Sequence, residues 1–220
     1  MADTRQGCQL VAVRNCRKAG AQVDLTGAQK QAVTELLNRA VQHSAAALAD
    51  VIENGVALSV SCIDLTSHAE ASRRLDDGAA TRAAVSVRQR FTGSLSGDLL
   101  LVFCERQSLV LVRTLLADTV PLEVMTDLEQ DALTEVGNVV LNASLGSLAT
   151  QLGGRLTSAL PEYRRGNAAR LLNGGDGEVL FVHLDVALGL QDIDGYLIML
   201  LDGESGCRFR DYVDNYLKRA

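Results

Sequence analysis

The sequence predicts an α+β fold: an internally duplicated domain with pseudo-two-fold symmetry, two long helices packed side by side on a mainly antiparallel sheet of about six strands. Three observations lead there. Residues 126–152 place Leu128, Ala132, Val136, Val139, Val140 and Ala143 at the three-and-four spacing of a buried helical face. A related stretch, TGAQKQAVTELLNRAVQHSAAALADVIENG, starts 100 residues earlier at Thr26. Behind each stretch the order strand, strand, strand, helix follows, so the chain reads as one pattern written twice. A period of this length is not that of a solenoid.

Residues 1–24 carry Arg5, Arg14, Arg17 and Lys18 around a short CQLVAV run, which reads equally as a loosely attached arm or an extra edge strand. The first long helix opens on a T-x-x-Q capping box, Thr26 with Gln29, and runs to about Glu53. Val56 to Leu65 alternates and is β-rich, hence a strand. Residues 66–77 read as a short helix or a loop closed by Asp76-Asp77-Gly78. Ala83 to Phe91 and Leu99 to Cys104 are strands joined through TGSLSGD, and Glu105 to Leu116 returns to helical periodicity.

Pro121 marks the joint between the repeats. The second long helix opens on Thr126 with Glu129 and stops at Gly153-Gly154. A strand around Leu156 to Leu160, a loop or short helix over 162–173 and a turn at 173–177 follow. Strands over 178–186 and 196–201 and a helix over 204–218 complete the chain. The expected organisation is an arm, 1–24, and one domain of two repeats, 25–120 and 121–220.

Composition narrows the function classes. At 47% apolar and 22% charged, the 220 residues suit a globular domain with a sizeable core. A net charge of −6, four Tyr, four Phe and no Trp argue against nucleic acid as a partner. The longest apolar runs, near Leu99 and Tyr196, fall far short of the roughly 20 residues of a membrane span, so no membrane insertion is expected. Five scattered cysteines and no signal sequence point to free thiols in the cytoplasm. His43, His68 and His183 read as isolated in the sequence, and no metal site is expected. There is no phosphate-binding loop, dinucleotide fingerprint or nucleophile elbow.

One feature of the long helices points to chemistry. Asp131, Glu135, Asn138 and Asn142 fall on one stripe of the second helix, and Gln31, Glu35, Asn38 and Gln42 on the matching stripe of the first. Asn is a mediocre helix former, because its side chain competes for backbone hydrogen bonds. Its recurrence mid-helix, at one place in both repeats, needs a reason beyond solubility.

The spacing Asp131-x3-Glu135-x2-Asn138-x22-Pro161 resembles the signature of the CheC/CheX/FliY family, phosphatases of the chemotaxis response regulator CheY, whose pattern is D/S-x3-E-x2-N-x22-P. The resemblance runs from about residue 25 onward, and the paired helices look most like CheC. It implies a chemotaxis hydrolase that removes the aspartyl phosphate of a CheY-like response regulator in two-component signalling. Glu135 would anchor a lysine of the regulator and Asn138 would orient the attacking water. Glu35 and Asn38 would form a second site, with Asp131 and Pro161 in supporting or partner-binding roles. In the first repeat Gln31 replaces Asp/Ser and Ser61 replaces proline. The protein would need no cofactor of its own, Mg²⁺ being held by the phosphorylated partner. The deamidase CheD is a further partner that the resemblance implies. The alternative function is a non-enzymatic adaptor or flagellar-switch-like module that binds CheY or CheD.

Overall fold

A computed structural model of the chain describes residues 25–49, 56–77, 83–116, 125–174, 177–188 and 191–219. The N-terminal 24 residues and the joint at Pro121 lie outside these ranges. The elements in order are α1 (Gly27–Ala49), β1 (Val56–Thr66), α2 (His68–Asp77), β2 (Ala84–Gly93), β3 (Gly97–Cys104) and α3 (Glu105–Leu116). The second repeat gives α4 (Asp127–Leu152), β4 (Leu156–Ser158), β5 (Glu162–Gly166), α5 (Ala168–Leu171), β6 (Val179–Leu188), β7 (Gln191–Leu201) and α6 (Ser205–Leu217).

All seven described strands form one antiparallel sheet in the order β1-β6-β7-β3-β2-β4, with β5 also paired to β2. β4 and β5 are one strand interrupted. Residues 156–166 pair with β2 as β1, 100 residues earlier, pairs with β6. The order is therefore palindromic under exchange of repeats, with the pseudo-two-fold axis between β7 and β3. The repeats interleave: the first strand of each lies against the second strand of the other.

Alternation along the strands creates two apolar faces. On one, α1, α3, α4 and α6 cover a large core including Leu36, Val87, Leu141, Leu184 and Phe209. On the other, α2 and α5 cover a smaller core of Ala71, Leu75, Leu171, Phe181 and Ile198. Burying both faces explains why β3 is apolar at nearly every position rather than alternating.

Both long helices start as the sequence predicts. Thr26 and Gln29 exchange backbone-to-side-chain bonds of 2.8 and 3.3 Å, and Thr126 with Glu129 forms a complete capping box. Gly153 ends α4 with φ +70°, a left-handed cap that only glycine adopts without strain. Three expectations need correction. Residues 162–166 are a strand rather than loop or helix, because pairing with β2 outweighs a polar sequence, EYRRG, with no apolar alternation. β7 starts at Gln191, five residues before the apolar run, since ladder pairing with β6 continues through polar residues. Leu128, assigned to the buried face, is 69% exposed, while Glu129 beside it is buried. Leu128 lies on the outward side of the first turn of α4, where Glu129 is the residue turned inward, to Arg113 and the Thr126 cap.

Candidate functional site

The stripe on α4 begins at the exposed Leu128 and continues through Asp131, Glu135, Asn138 and Asn142. Asp131, Glu135 and Asn142 are exposed and Asn138 is half-buried. Neither Asp131 nor Glu135 has a hydrogen-bond or ion-pair partner among the described residues. Two carboxylates thus stand in water beside a carboxamide held at the sheet.

The helix is seated by a glycine. A Cβ on Gly137 would lie 2.5 Å from Val87 Cβ, so the absence of a side chain lets α4 settle directly on β2. That approach brings the next residue, Asn138, and its neighbour Asn142 over the place where β4 gives way to β5. There β2 and its partner lose step. Three residue steps on β2, from Arg88 to Phe91, face four from Ser158 to Glu162. Pro161 sits in this bulge, one of the few places in a sheet where the missing N–H costs no ladder bond. Ala159 N–H donates to Arg90 O at 2.8 Å, and Leu160 projects outward, 87% exposed.

A chain of carboxamides crosses from the bulge to the helix. Gln89, buried on β2, donates from Nε2 to Ala159 O at 2.8 Å and to Asn142 Oδ1 at 3.1 Å. Ser158 Oγ donates to the same Asn142 Oδ1 at 2.8 Å. Asn142 Nδ2 then donates to Asn138 Oδ1 at 2.7 Å. The Pro161 bulge is thereby tied to the Asn138 amide, across the spacing of 22 residues that the signature leaves unspecified.

The first repeat places its residues alike and wires them differently. Gln31 and Glu35 are exposed and Asn38 is half-buried. Glu35 Oε1 accepts from Gln31 Nε2 at 3.3 Å, so this carboxylate already has a partner. Asn38 Oδ1 accepts from the Val60 N–H at 3.1 Å. Val60 precedes a bulge at Ser61, where β1 takes two steps for one on β6. Ser61 thus occupies the position of Pro161, and a strand bulge under the asparagine is common to both repeats. His183 pairs with Cys62 as Arg88 pairs with Glu162, so Leu184 stands where Gln89 stands. An apolar Leu184 cannot donate, and no carboxamide chain forms there.

The structure places the residues singled out in the sequence, Glu135, Asn138 and Asp131 with Pro161, and Glu35 with Asn38, on one helix face of each repeat and, for Pro161, in the bulge beside it. The sequence alone does not point to Gln89, which the other repeat supplies and which carries no local signal. It also shows His183 as isolated. In the fold the His183 ring lies between Asp185 and Asp194, each 3.9 Å away, with Ser61 Oγ 2.6 Å from Nδ1. The three potential ligand atoms lie within 4.8 Å of one another, brought together by cross-strand pairing that linear spacing does not display. No described helix is long and apolar enough to cross a membrane.

No protein-family model and no curated protein matches the chain. Solved structures do. The crystal structure of Thermotoga maritima FliY superposes with a TM-score of 0.72 at 18% identity, covering 87% of this chain and 98% of that one. The FliM middle domain from Vibro alginolyticus gives 0.59 at 14%, covering 81% and 98%. A CheC-like superfamily protein from Shewanella sp. PV-4 gives 0.52 at 15%, covering 77% and 98%. The chain therefore has the fold shared by FliY, CheC-like proteins and FliM middle domains, which is the fold expected from its sequence signature.

Proposed function

We propose that the protein is a chemotaxis phosphatase that hydrolyses the aspartyl phosphate of a CheY-like response regulator, with Glu135 and Asn138 as its principal site. The observation that carries this reading is the contrast on one helix face: a Glu135 carboxylate with no partner among the described residues, one turn from an Asn138 amide linked through Asn142 to Gln89 of the sheet. An aspartyl phosphate is an acyl phosphate. A water attacks phosphorus in line, the bond from phosphorus to the acyl oxygen breaks, and the regulator's carboxylate and inorganic phosphate leave. Little covalent work falls to the phosphatase, so placement of the water dominates. Asn138 suits placement, because an amide holds water without being ionised. Glu135 suits docking, because an unpaired carboxylate forms a charge-assisted bond with a lysine ammonium. Mg²⁺ belongs to the regulator in this scheme. Asp131 extends the acidic face toward the partner, and Leu128 and Leu160 offer apolar contact at its margins.

The second reading is a non-enzymatic adaptor binding CheY or CheD. The likeness to FliM middle domains favours it, and a FliG–FliM complex and a FliM–SpeE complex from H. pylori associate this fold with protein partners. Binding alone, however, gives no reason for an amide anchored mid-helix in both repeats. The deciding experiment follows phosphate loss from phosphorylated receiver domains with Mg²⁺, with and without the protein. Faster loss supports the enzyme. Binding without acceleration supports the adaptor.

A further inference from the structure

We infer that Asn142, backed by Gln89, is a positioning residue that fixes which end of the Asn138 amide faces the partner; this rests on the functional reading above. One group in this chain of bonds has a polarity that cannot change. The carbonyl of Ala159 is an acceptor only. Gln89 must therefore turn its NH₂ end toward it, and the two hydrogens of Nε2 are used by Ala159 O and Asn142 Oδ1. That fixes Asn142 with its oxygen toward β2, where the Ser158 hydroxyl also donates to it. The Nδ2 of Asn142 is then left facing α4's preceding turn, and Asn138 meets it with Oδ1 at 2.7 Å. Each amide dictates the next, so a backbone carbonyl in the Pro161 bulge sets the orientation of the half-buried Asn138.

The consequence is chemical. Asn138 presents Nδ2 outward as a donor, and Oδ1 keeps one lone pair beyond the one Asn142 occupies. A water held by this donor retains a lone pair for phosphorus. Rotating the amide by half a turn would set NH₂ against NH₂ at Asn142 and lose the bond. The first repeat reaches the same orientation independently. Asn38 also spends Oδ1 inward, on the Val60 N–H, although Gln42 and Leu184 replace Asn142 and Gln89. Two unrelated sets of contacts turning the same end of the same amide outward is what a requirement for that end would produce.

The test uses Asn142, which is exposed, so its variants keep the core intact. The full-length protein is compared with Asn142→Ala, Asn142→Asp and Ser158→Ala. Two quantities are read: the order parameter of the Asn138 side-chain amide by ¹⁵N relaxation, and kcat and KM for phosphate loss from a phosphorylated receiver domain. Ala removes the donor, and Asp keeps the acceptor for Gln89 and Ser158 while being unable to donate when ionised. Asn142→Ala should release the Asn138 amide, and Asn142→Asp should turn it round so that Nδ2 donates to the carboxylate; both should lower kcat about tenfold with KM unchanged, equivalent to about 1.4 kcal/mol at the transition state. Ser158→Ala, which leaves the bond to Asn138 in place, should change neither quantity by more than about twofold. An Asn138 amide equally ordered in Asn142→Ala overturns the proposal, as does full kcat in Asn142→Asp or a loss confined to KM. If the wild-type protein releases no phosphate from any receiver domain, the functional reading fails, and the amide order alone decides the positioning role.

Discussion

The hydroxyls of Ser44 and Ser144 meet 3.4 Å apart where α1 lies against α4, 100 residues from each other in the chain. Ser44 Oγ shares its one proton between Ala40 O at 3.0 Å and Val140 O at 3.1 Å, so a small buried hydroxyl bridges its own helix and its neighbour. Gln151 Nε2 reaches Leu36 O at 3.2 Å further along the same seam, so the helices run in opposite directions. The serines mark the pseudo-two-fold axis on the helical layer. Their small size sets the separation of the two stripes. Ser44→Leu should force the helices apart and cost about 1–3 kcal/mol, whereas Ser44→Ala should cost about 1 kcal/mol, measured from urea midpoints. Equal costs would show that helix spacing does not depend on a small side chain there.

Asn138→Ala should reduce kcat by about a hundredfold or more while leaving affinity for the phosphorylated regulator nearly unchanged. Glu135→Ala should raise KM as well as lower the rate. Calorimetric titration beside single-turnover assays separates the two effects. A matching loss of affinity in both variants would contradict the division between water placement and docking.

The two sites should be unequal. Glu35 is already hydrogen-bonded to Gln31, whereas Glu135 has no partner among the described residues to give up. The Glu35→Ala/Asn38→Ala variant is expected to retain most activity, and Glu135→Ala/Asn138→Ala to lose most of it. The opposite ranking, assayed on one phosphorylated regulator, would mean that the proline bulge and the unengaged carboxylate are not what makes a site competent.

Gly137→Ala should destabilise the fold and impair the site together. The new Cβ would overlap Val87, and relieving that overlap lifts α4, with Asn138 next in sequence, off β2. A cost of about 1–3 kcal/mol is expected. Val87→Ala should restore part of it, as a double-mutant cycle would detect. A Gly137→Ala protein as stable as wild type would mean that the helix shifts without cost.

Acid should weaken the α4 N-terminus through Glu129. Burial pushes this carboxyl up, but bonds from the Thr126 backbone, Arg113 and the Thr126 hydroxyl, with the Arg113 charge, outweigh it and hold it below the ordinary range. A depressed folded value means that the stabilisation is complete above the unfolded carboxyl's titration and disappears as pH falls through the lower folded value. Glu129→Gln should lower Tm near neutral pH and flatten its decline in acid. An unchanged acid slope in the variant would place the pH dependence elsewhere.

Much of this protein is legible along the chain because the signals are local. Capping boxes at Thr26 and Thr126, the stop at Gly153, helical periodicity and the 100-residue repeat each depend on neighbours within a turn or on comparison of one stretch with another. The stripe Asp131, Glu135, Asn138 was determined the same way, since helical spacing alone puts those residues on one face. Tertiary structure decided what the stripe can do. Strand pairing has no sequence-local cause for its partners, so only the fold could set β2 of the first repeat beside β4 and β5 of the second. It likewise placed Gln89 under Asn142, put Pro161 in the bulge and gathered His183 with Asp185 and Asp194. Amide orientation depends on a hydrogen-bond chain that begins at a backbone carbonyl in another element, and a sequence specifies that carbonyl's position only through the whole folded sheet.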